Sequence, residues 1–203
     1  MATLLKRGNA KLSKAIANFS IPAGKEVCGI ECKGCYAIKI QKRYKNVAEA
    51  WQRNLKDSLK PDFEDRIVAE IKRLYNSKHS VRYIRIHTSG EFYSTEYIFK
   101  WANIAQRVYN EISEDIIFYA YSKKWKAFKE ELSFLNVLPN VVVHDSLKDG
   151  LNYDIKSKIE ARAKKTGGFI CPDTVDKSVK CGETCTWCMQ KGNESKPIYF
   201  VKH

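Results

Sequence analysis

Val81-Arg-Tyr-Ile-Arg-Ile-His87-Thr88-Ser89-Gly90-Glu91 is the stretch that decides the fold. Val81 to His87 alternates with the period of a strand, and Ser89-Gly90 breaks it. Ser94 or Thr95 then caps a helix to about Ile112, with Ile98, Trp101, Ala102, Ala105 and Val108 on one face. Strand, turn and helix follow one another within a single short unit. The same unit recurs on both sides. Upstream, Ala15 to Ile21 reads as a strand ended by Pro22 and Gly24, and Ile38 to Leu59 as one helix stopped by Pro61. Asp62 or Asp65 begins another helix through Ile67, Ile71 and Leu74. Downstream come a strand at Ile116–Tyr121, a helix at Trp125–Leu135 and a strand at Asn140–His144. A short helix near Tyr153–Lys164 and a final strand at Ile198–Val201 complete the chain.

Such alternation predicts an α/β fold with a mostly parallel sheet wrapped by helices. The strands are too few for a closed eight-stranded barrel, which takes roughly 250 residues. The expectation is a partial (βα) barrel or an open, mostly parallel sheet over residues 1–165, with a C-terminal cysteine-rich metal-binding segment over 166–203. Ligands in such folds bind at the carboxyl ends of the strands. The segment after Ile21 and the Ser89–Glu91 turn both fall at that end.

The segment after Ile21 contains Cys28-Gly-Ile-Glu-Cys32-Lys-Gly-Cys35-Tyr36, three cysteines in one short loop. A [4Fe–4S] cube takes four ligands, so three thiolates leave one iron open. An open metal position separates chemistry from scaffolding, as it does in zinc enzymes. The same residues are also compatible with structural zinc completed by a distant histidine. Disulfides fit poorly with seven cysteines, an odd number, and no secretory signal. The other four, Cys171, Cys181, Cys185 and Cys188, lie in the tail, and the last three repeat the x3, x2 spacing of the loop. Four thiolates suit a second [4Fe–4S] cluster or Zn, and ligands shared between the two groups are a third arrangement.

The 203 residues carry 36 Lys/Arg against 23 Asp/Glu, a net charge of +13, and are 44% hydrophobic, a globular composition. Lys39, Lys42, Arg43, Lys45, Arg53, Lys56 and Lys60 follow the cysteine loop, and a second basic stretch runs from Lys156 through Lys158, Arg162 and Lys164 to Lys165. Basic faces attract polyanions, which makes a nucleic acid the first partner to consider, although charge runs are more often solvated helix faces. Nowhere is there an apolar run of about 18 residues, so no membrane span is expected. The basic segment from Met1 to Ala17 lacks the apolar core of a signal peptide, which points to the cytoplasm.

The Cys28–Cys35 spacing, with an aromatic residue beside the last cysteine, resembles the cluster loop of the radical S-adenosylmethionine superfamily. Here Gly34 precedes Cys35 and Tyr36 follows it, whereas many members place the aromatic first. The resemblance implies a [4Fe–4S] cluster whose open iron is chelated by S-adenosyl-L-methionine, reductively cleaved to a 5′-deoxyadenosyl radical. It also implies a reductant such as flavodoxin or ferredoxin as partner. Ser89-Gly90-Glu91 is similar to the family's Gly-Gly-Glu segment, which holds the cofactor's ammonium. Ser122, Lys123 and Asp145, at the ends of later strands, would be placed to touch its ribose or carboxylate. A plainer account makes Gly90 a turn and Glu91 a surface residue, with His87 a strand-end histidine. Ile21-Pro22-Ala23-Gly24, the Cys35-Tyr36-Ala37 ending, Ile86–Phe92 and the tail together resemble small phage-encoded proteins of unassigned activity. The expected function is thus a radical S-adenosylmethionine-like enzyme, with a nucleic acid as first-choice substrate, acting in the host cytoplasm if phage-encoded. The catalytic residues are not legible. Two alternatives remain: a non-catalytic metal-stabilised nucleic-acid-binding protein with zinc or iron–sulfur, and a degenerate radical fold retaining only the cluster.

Overall fold

Short runs of β-branched and aromatic residues form the sheet at the centre of the molecule. The computed structural model describes residues 3–30, 32, 34–147 and 153–201; Glu31 and Lys33 of the cysteine loop lie outside them. Five strands, β1 (Lys6–Arg7), β2 (Ile16–Phe19), β3 (Tyr83–Ile86), β4 (Ile117–Ser122) and β5 (Val141–Asp145), pair in the order β1-β2-β3-β4-β5. β1 is antiparallel to β2, and every other pair is parallel. Because the order is sequential, each crossover steps one strand onward in the same direction. Right-handed crossovers then place their helices on one face.

That helical face is the main core. α4 (Phe63–Tyr75), α5 (Thr95–Glu111) and α6 (Lys129–Val137) bring Phe63, Ile67, Trp101, Ile104, Leu132 and Leu135 against Phe19, Ile84, Ile86, Phe118, Val141 and Val143. Trp101 meets Phe19 and Phe63 edge to face, with ring centroids 5.3 and 5.8 Å apart. Each such fully buried aromatic side chain contributes on the order of 1.5–3 kcal/mol relative to exposure. Ser94 caps α5, its hydroxyl accepting from Tyr97 N at 3.2 Å.

Strand alternation sends the other side chains to the opposite face, where Ile16, Tyr119 and Val142 pack on Leu12, Cys188, Met189 and Ile198. The cysteine tail therefore covers the face that the helices leave open. Its scaffold is a small parallel sheet of β6 (Tyr153–Asp154), β7 (Phe169–Ile170) and β8 (Ile198–Val201), ordered β6-β8-β7. α7 (Lys156–Thr166) packs Ile159 and Ala163 against Tyr199 and Val201. Gly182, at φ +81°, lies on Ile16, and a Cβ there would stand 2.6 Å from an Ile16 methyl. Only glycine lets the tail backbone approach so closely.

Three expected elements have different bounds. The helix read over Ile38–Leu59 is two, α2 (Tyr36–Arg43) and α3 (Lys45–Ser58), separated by Tyr44 in an extended conformation (φ −124°, ψ 96°). Tyr44 N closes α2 on Ile40 O while its carbonyl opens α3 by accepting from Val47 N and Ala48 N, so one residue serves both ends without Gly or Pro. The helix expected from Trp125 begins at Lys129, because Lys124–Phe128 forms a turn of its own that seats Trp125 and Phe128 on the core. At Tyr153 the chain enters β6 before α7 starts at Lys156. The two-residue strands β1 and β7 are too short to show any alternation.

Candidate functional site

β2 leads through Ser20 and Ile21 into the cysteine loop. Ile21 N donates to Ser89 O at 3.1 Å, holding the loop's start against the turn after β3. Gly90, at φ +90°, presses on Ile21 so tightly that a Cβ would stand 2.2 Å from its side chain and 3.0 Å from its carbonyl oxygen. Glycine is thus required at the second position of the Ser-Gly-Glu turn. A one-turn helix, α1 (Lys25–Cys28), carries Cys28, and Cys35 precedes the first residue of α2. Gln41 of α2 clamps Ala23 by accepting from its N–H at 2.5 Å and donating to its carbonyl at 3.2 Å. The Tyr36 hydroxyl donates to Thr88 O, and Ser20 and Thr88 share a hydroxyl hydrogen bond.

Glu91 joins this cluster to the end of β4. Its Oε1 accepts from Phe92 N and Ser122 Oγ, and its Oε2 from Lys123 N, each at 2.9 Å. Only 5% exposed, it is not a surface residue. Burial pushes its carboxyl pKa upward against the pull of those donors. Lys123 turns outward, and its ammonium donates to Cys32 Sγ at 3.3 Å. The loops after β2, β3 and β4 are thereby tied into one site, with a fixed carboxylate beneath and a cation beside the thiols. Buried Ser89 Oγ at the same turn has no hydrogen-bond partner. An orphaned hydroxyl beside a glycine that holds the backbone close is a feature of ligand cradles.

His87 is the one non-glycine residue among those described with positive φ (64°). It is a core residue, not a ligand. Its Nε2 meets Tyr97 OH at 2.9 Å, its ring packs on Phe92, and burial lowers its pKa to about 3. Such backbone strain costs of order 1–3 kcal/mol and concentrates at functional sites. Asp145, expected at the site, spends its Oδ1 on Leu147 N of its own turn. Among the described residues, no side-chain hydrogen bond or ion pair joins it to Glu91 or the thiols.

All seven cysteines are free thiols. Cys28, Cys32 and Cys35 lie near enough to act on one another electrostatically, and burial, foremost, raises the Cys28 thiol. The tail is more compact. Cys171, Cys181, Cys185 and Cys188 line one cavity with Tyr121, Phe169 and Trp187. Burial pushes Cys171 up to about 11 and Cys188 up to about 12. Among the described residues no three His, Cys, Asp or Glu side chains stand at the separations that hold a single metal ion. In donor chemistry both groups fit thiophilic centres: three sulfurs on a short loop suit an iron–sulfur cube, whose ligands stand further apart than those of one ion, and four around one cavity suit a closed site.

Sequence reasoning brought out the cysteines, Ser89, Gly90, Glu91 and Ser122, and missed Arg85. That residue lies on the tail-covered face of β3, its guanidinium 5.2 Å from the Tyr121 ring centroid and 6.0 Å from that of Tyr119. Its Nε has no acceptor, and no carboxylate among the described residues pairs with it. The available signal was an arginine at a middle position of a strand whose two faces are both covered.

Taken together these features define a class: an α/β protein with a mostly parallel sheet and two thiol groups, one at the strand ends and one across a sheet face. More narrowly, the family model described as Gene product 88 matches residues 3–190, and the chain belongs to that phage protein family. Comparison with curated proteins and with solved structures returns no match. Among the described residues, no helix is long and apolar enough to cross a membrane.

Proposed function

We propose that this chain is a radical S-adenosylmethionine-like enzyme built on a partial barrel. Cys28, Cys32 and Cys35 would hold a [4Fe–4S] cluster with one iron open to S-adenosylmethionine, and the cluster would supply the electron that cleaves its sulfonium. The observation that carries this reading is the convergence of the cysteine loop, the Ser89–Glu91 turn and the Ser122–Lys123 segment at the carboxyl ends of three adjacent parallel strands. Gly90 keeps the backbone close, Ser89 offers an unpaired hydroxyl, and Glu91 holds a carboxylate whose Oε2 accepts from one protein donor only. An ammonium group is a suitable partner for that oxygen. Lys123, at Cys32, would offset the charge of the thiolates. The tail would bind a second metal.

A nucleic acid is the favoured substrate class. Lys42, Arg43, Arg53 and Lys56 are exposed on α2 and α3, which leave the cysteine loop directly. Lys45, Lys60, Lys156 and Arg162 contribute less, being near Glu49, Asp57, Glu160 and Asp154.

The test is anaerobic iron–sulfur reconstitution followed by EPR of the reduced protein, with and without S-adenosylmethionine. Wild type is compared with the Cys28→Ala, Cys32→Ala, Cys35→Ala triple variant. The expected result is a cluster signal that needs those cysteines and shifts with the cofactor. A cluster blind to the cofactor would overturn the enzymatic reading in favour of a degenerate fold. Zinc without iron, in protein purified anaerobically from iron-replete cells, would leave a metal-stabilised binding protein.

A further inference from the structure

The tail cavity differs from the loop site in size, closure and surroundings. Its volume is about 20 Å³. That is roughly the space one water molecule occupies, since about 10–15 Å³ is enough to hold a water. A single ion fits such a space, whereas a cube of four irons and four sulfurs would have to force apart Trp187, Phe169 and Met189. Those residues belong to the second core, with Phe169 and Trp187 stacked at 4.2 Å between centroids.

The polar groups around the four sulfurs are of one kind. Tyr119 OH lies 3.9 Å from Cys181 Sγ, and Tyr121 hydrogen-bonds the Cys188 side chain. Cys171 has hydrogen bonds from the backbone of Asp173 and Thr174. Arg85 sits over both tyrosine rings, within electrostatic reach of Cys181 and with no carboxylate partner among the described residues. Asp173 is the acidic residue on the cavity wall, and Lys11 lies 3.6 Å from its carboxylate. Hydroxyls, amides and one guanidinium therefore point toward sulfurs that are free thiols. Four thiolates around a divalent ion carry two net negative charges, and a partly buried dianion needs such donors and a nearby cation.

Resting on the reading that the tail binds metal, we infer that it is a closed four-thiolate site for one divalent, zinc-like ion, with Arg85 of the central sheet as its counter-cation and Tyr119 and Tyr121 as its hydrogen-bond donors. The sheet face under the tail is then the outer coordination shell of the metal. Occupation of the site joins the tail to β3 and β4, and loss of the ion leaves Arg85 uncompensated. Arg85 is a positioning and charge-balancing residue and touches no reacting atom.

Cobalt(II) titration of the full-length chain under anaerobic conditions tests this, with zinc displacing the cobalt in competition. The Cys28→Ala, Cys32→Ala, Cys35→Ala background isolates the tail. The expected result is one cobalt per chain with the visible bands and sulfur-to-metal charge-transfer intensity of four thiolates. Arg85→Gln is expected to weaken the ion by roughly 10–100-fold, the usual cost of losing an outer-shell partner. Arg85→Lys should recover most of that loss, and Tyr119→Phe should cost less than Arg85→Gln. Near-ultraviolet circular dichroism at saturating zinc checks that each variant is folded. Cobalt bound by four thiolates with equal affinity in wild type and Arg85→Gln would overturn the role of Arg85. Uptake of iron and sulfide by the tail, with cobalt refused, would overturn the single-ion site. Failure of the tail to take up any metal would sink the underlying reading itself, whatever the loop does.

Discussion

The two cysteine groups share an x3, x2 spacing but sit in opposite settings. Cys28, Cys32 and Cys35 are half-buried on a loop at the strand ends, held by hydrogen bonds to neighbouring loops and by a lysine at Cys32. Cys171, Cys181, Cys185 and Cys188 belong to a packed face, and Cys188 is only 5% exposed inside the second core. Spacing tells which sulfurs can share a centre; the surroundings tell what that centre is for. An accessible three-thiol loop leaves room for a ligand, while a four-thiol cavity lined with aromatics has no access to spare. Chemistry and stability are thereby assigned to different ends of the same sheet.

The largest expected effect follows from that division. Cys188→Ala removes a sulfur from the second core and from the tail centre together. Apparent zinc-binding energies of about 10–16 kcal/mol in small domains become folding energy, so loss of the site is expected to cost several kcal/mol. Cys35→Ala alters a half-exposed loop position, and its unfolding free energy is expected to stay within roughly 0.5 kcal/mol of wild type. Urea denaturation of the two variants as purified reads the difference. Equal loss in both would break the comparison, by showing that the loop is as structural as the tail.

A smaller effect sharpens the description of the strand-end site. In Glu91→Gln an amide group replaces one carboxylate oxygen, so Ser122 Oγ and Phe92 N, or else Lys123 N, faces a donor in place of an acceptor. A buried donor left without a partner costs about 1–3 kcal/mol. The expected outcome is a stability loss in that range together with a weakened EPR response to S-adenosylmethionine, the tail's cobalt affinity remaining unchanged. A change in the tail's affinity would show that the two ends are coupled through the sheet.

Much of this arrangement is legible in the sequence itself. The alternation at Val81–His87 and the apolar run at Asn140–His144 mark strands because both are short and bounded by turn residues. The Ser89-Gly90 break marks the site because a parallel strand must end where its crossover begins. The division of helix at Tyr44 is not legible, since the break lies in the backbone of a residue that neither stops nor favours helix strongly. Nor is the role of Arg85. A charged residue in a strand announces itself only when the far face is known to be covered, and what covers it lies about a hundred residues away in the chain. Asp145 marks the opposite error: it stands at a strand end as expected, yet its own turn uses the carboxylate. Position along a strand finds the end of the sheet but does not say which way a side chain there will bond.

The last contrast concerns acid. His87 supports the strand-end site from below, neutral and wedged between Phe92 and Tyr97, with burial holding its pKa at about 3 against an ordinary 6.5. Between those two values the unfolded chain binds a proton that the folded chain refuses. Stability from this residue is therefore complete above about pH 6.5 and falls as the pH drops, by about 1.4 kcal/mol per pH unit, down to about pH 3. His87→Gln removes the titration. Any strain it adds at φ 64° shifts stability equally at every pH and leaves the slope untouched. Metal-free protein is the right sample, because protons also compete with metal for the thiols. The slope of unfolding free energy between pH 6 and pH 4 is expected to be shallower in His87→Gln by close to one proton. An unchanged slope would mean that His87 is protonated in the folded state. The strand end would then carry a second cation beside Lys123, and the strained backbone at His87 would be holding a charge in place.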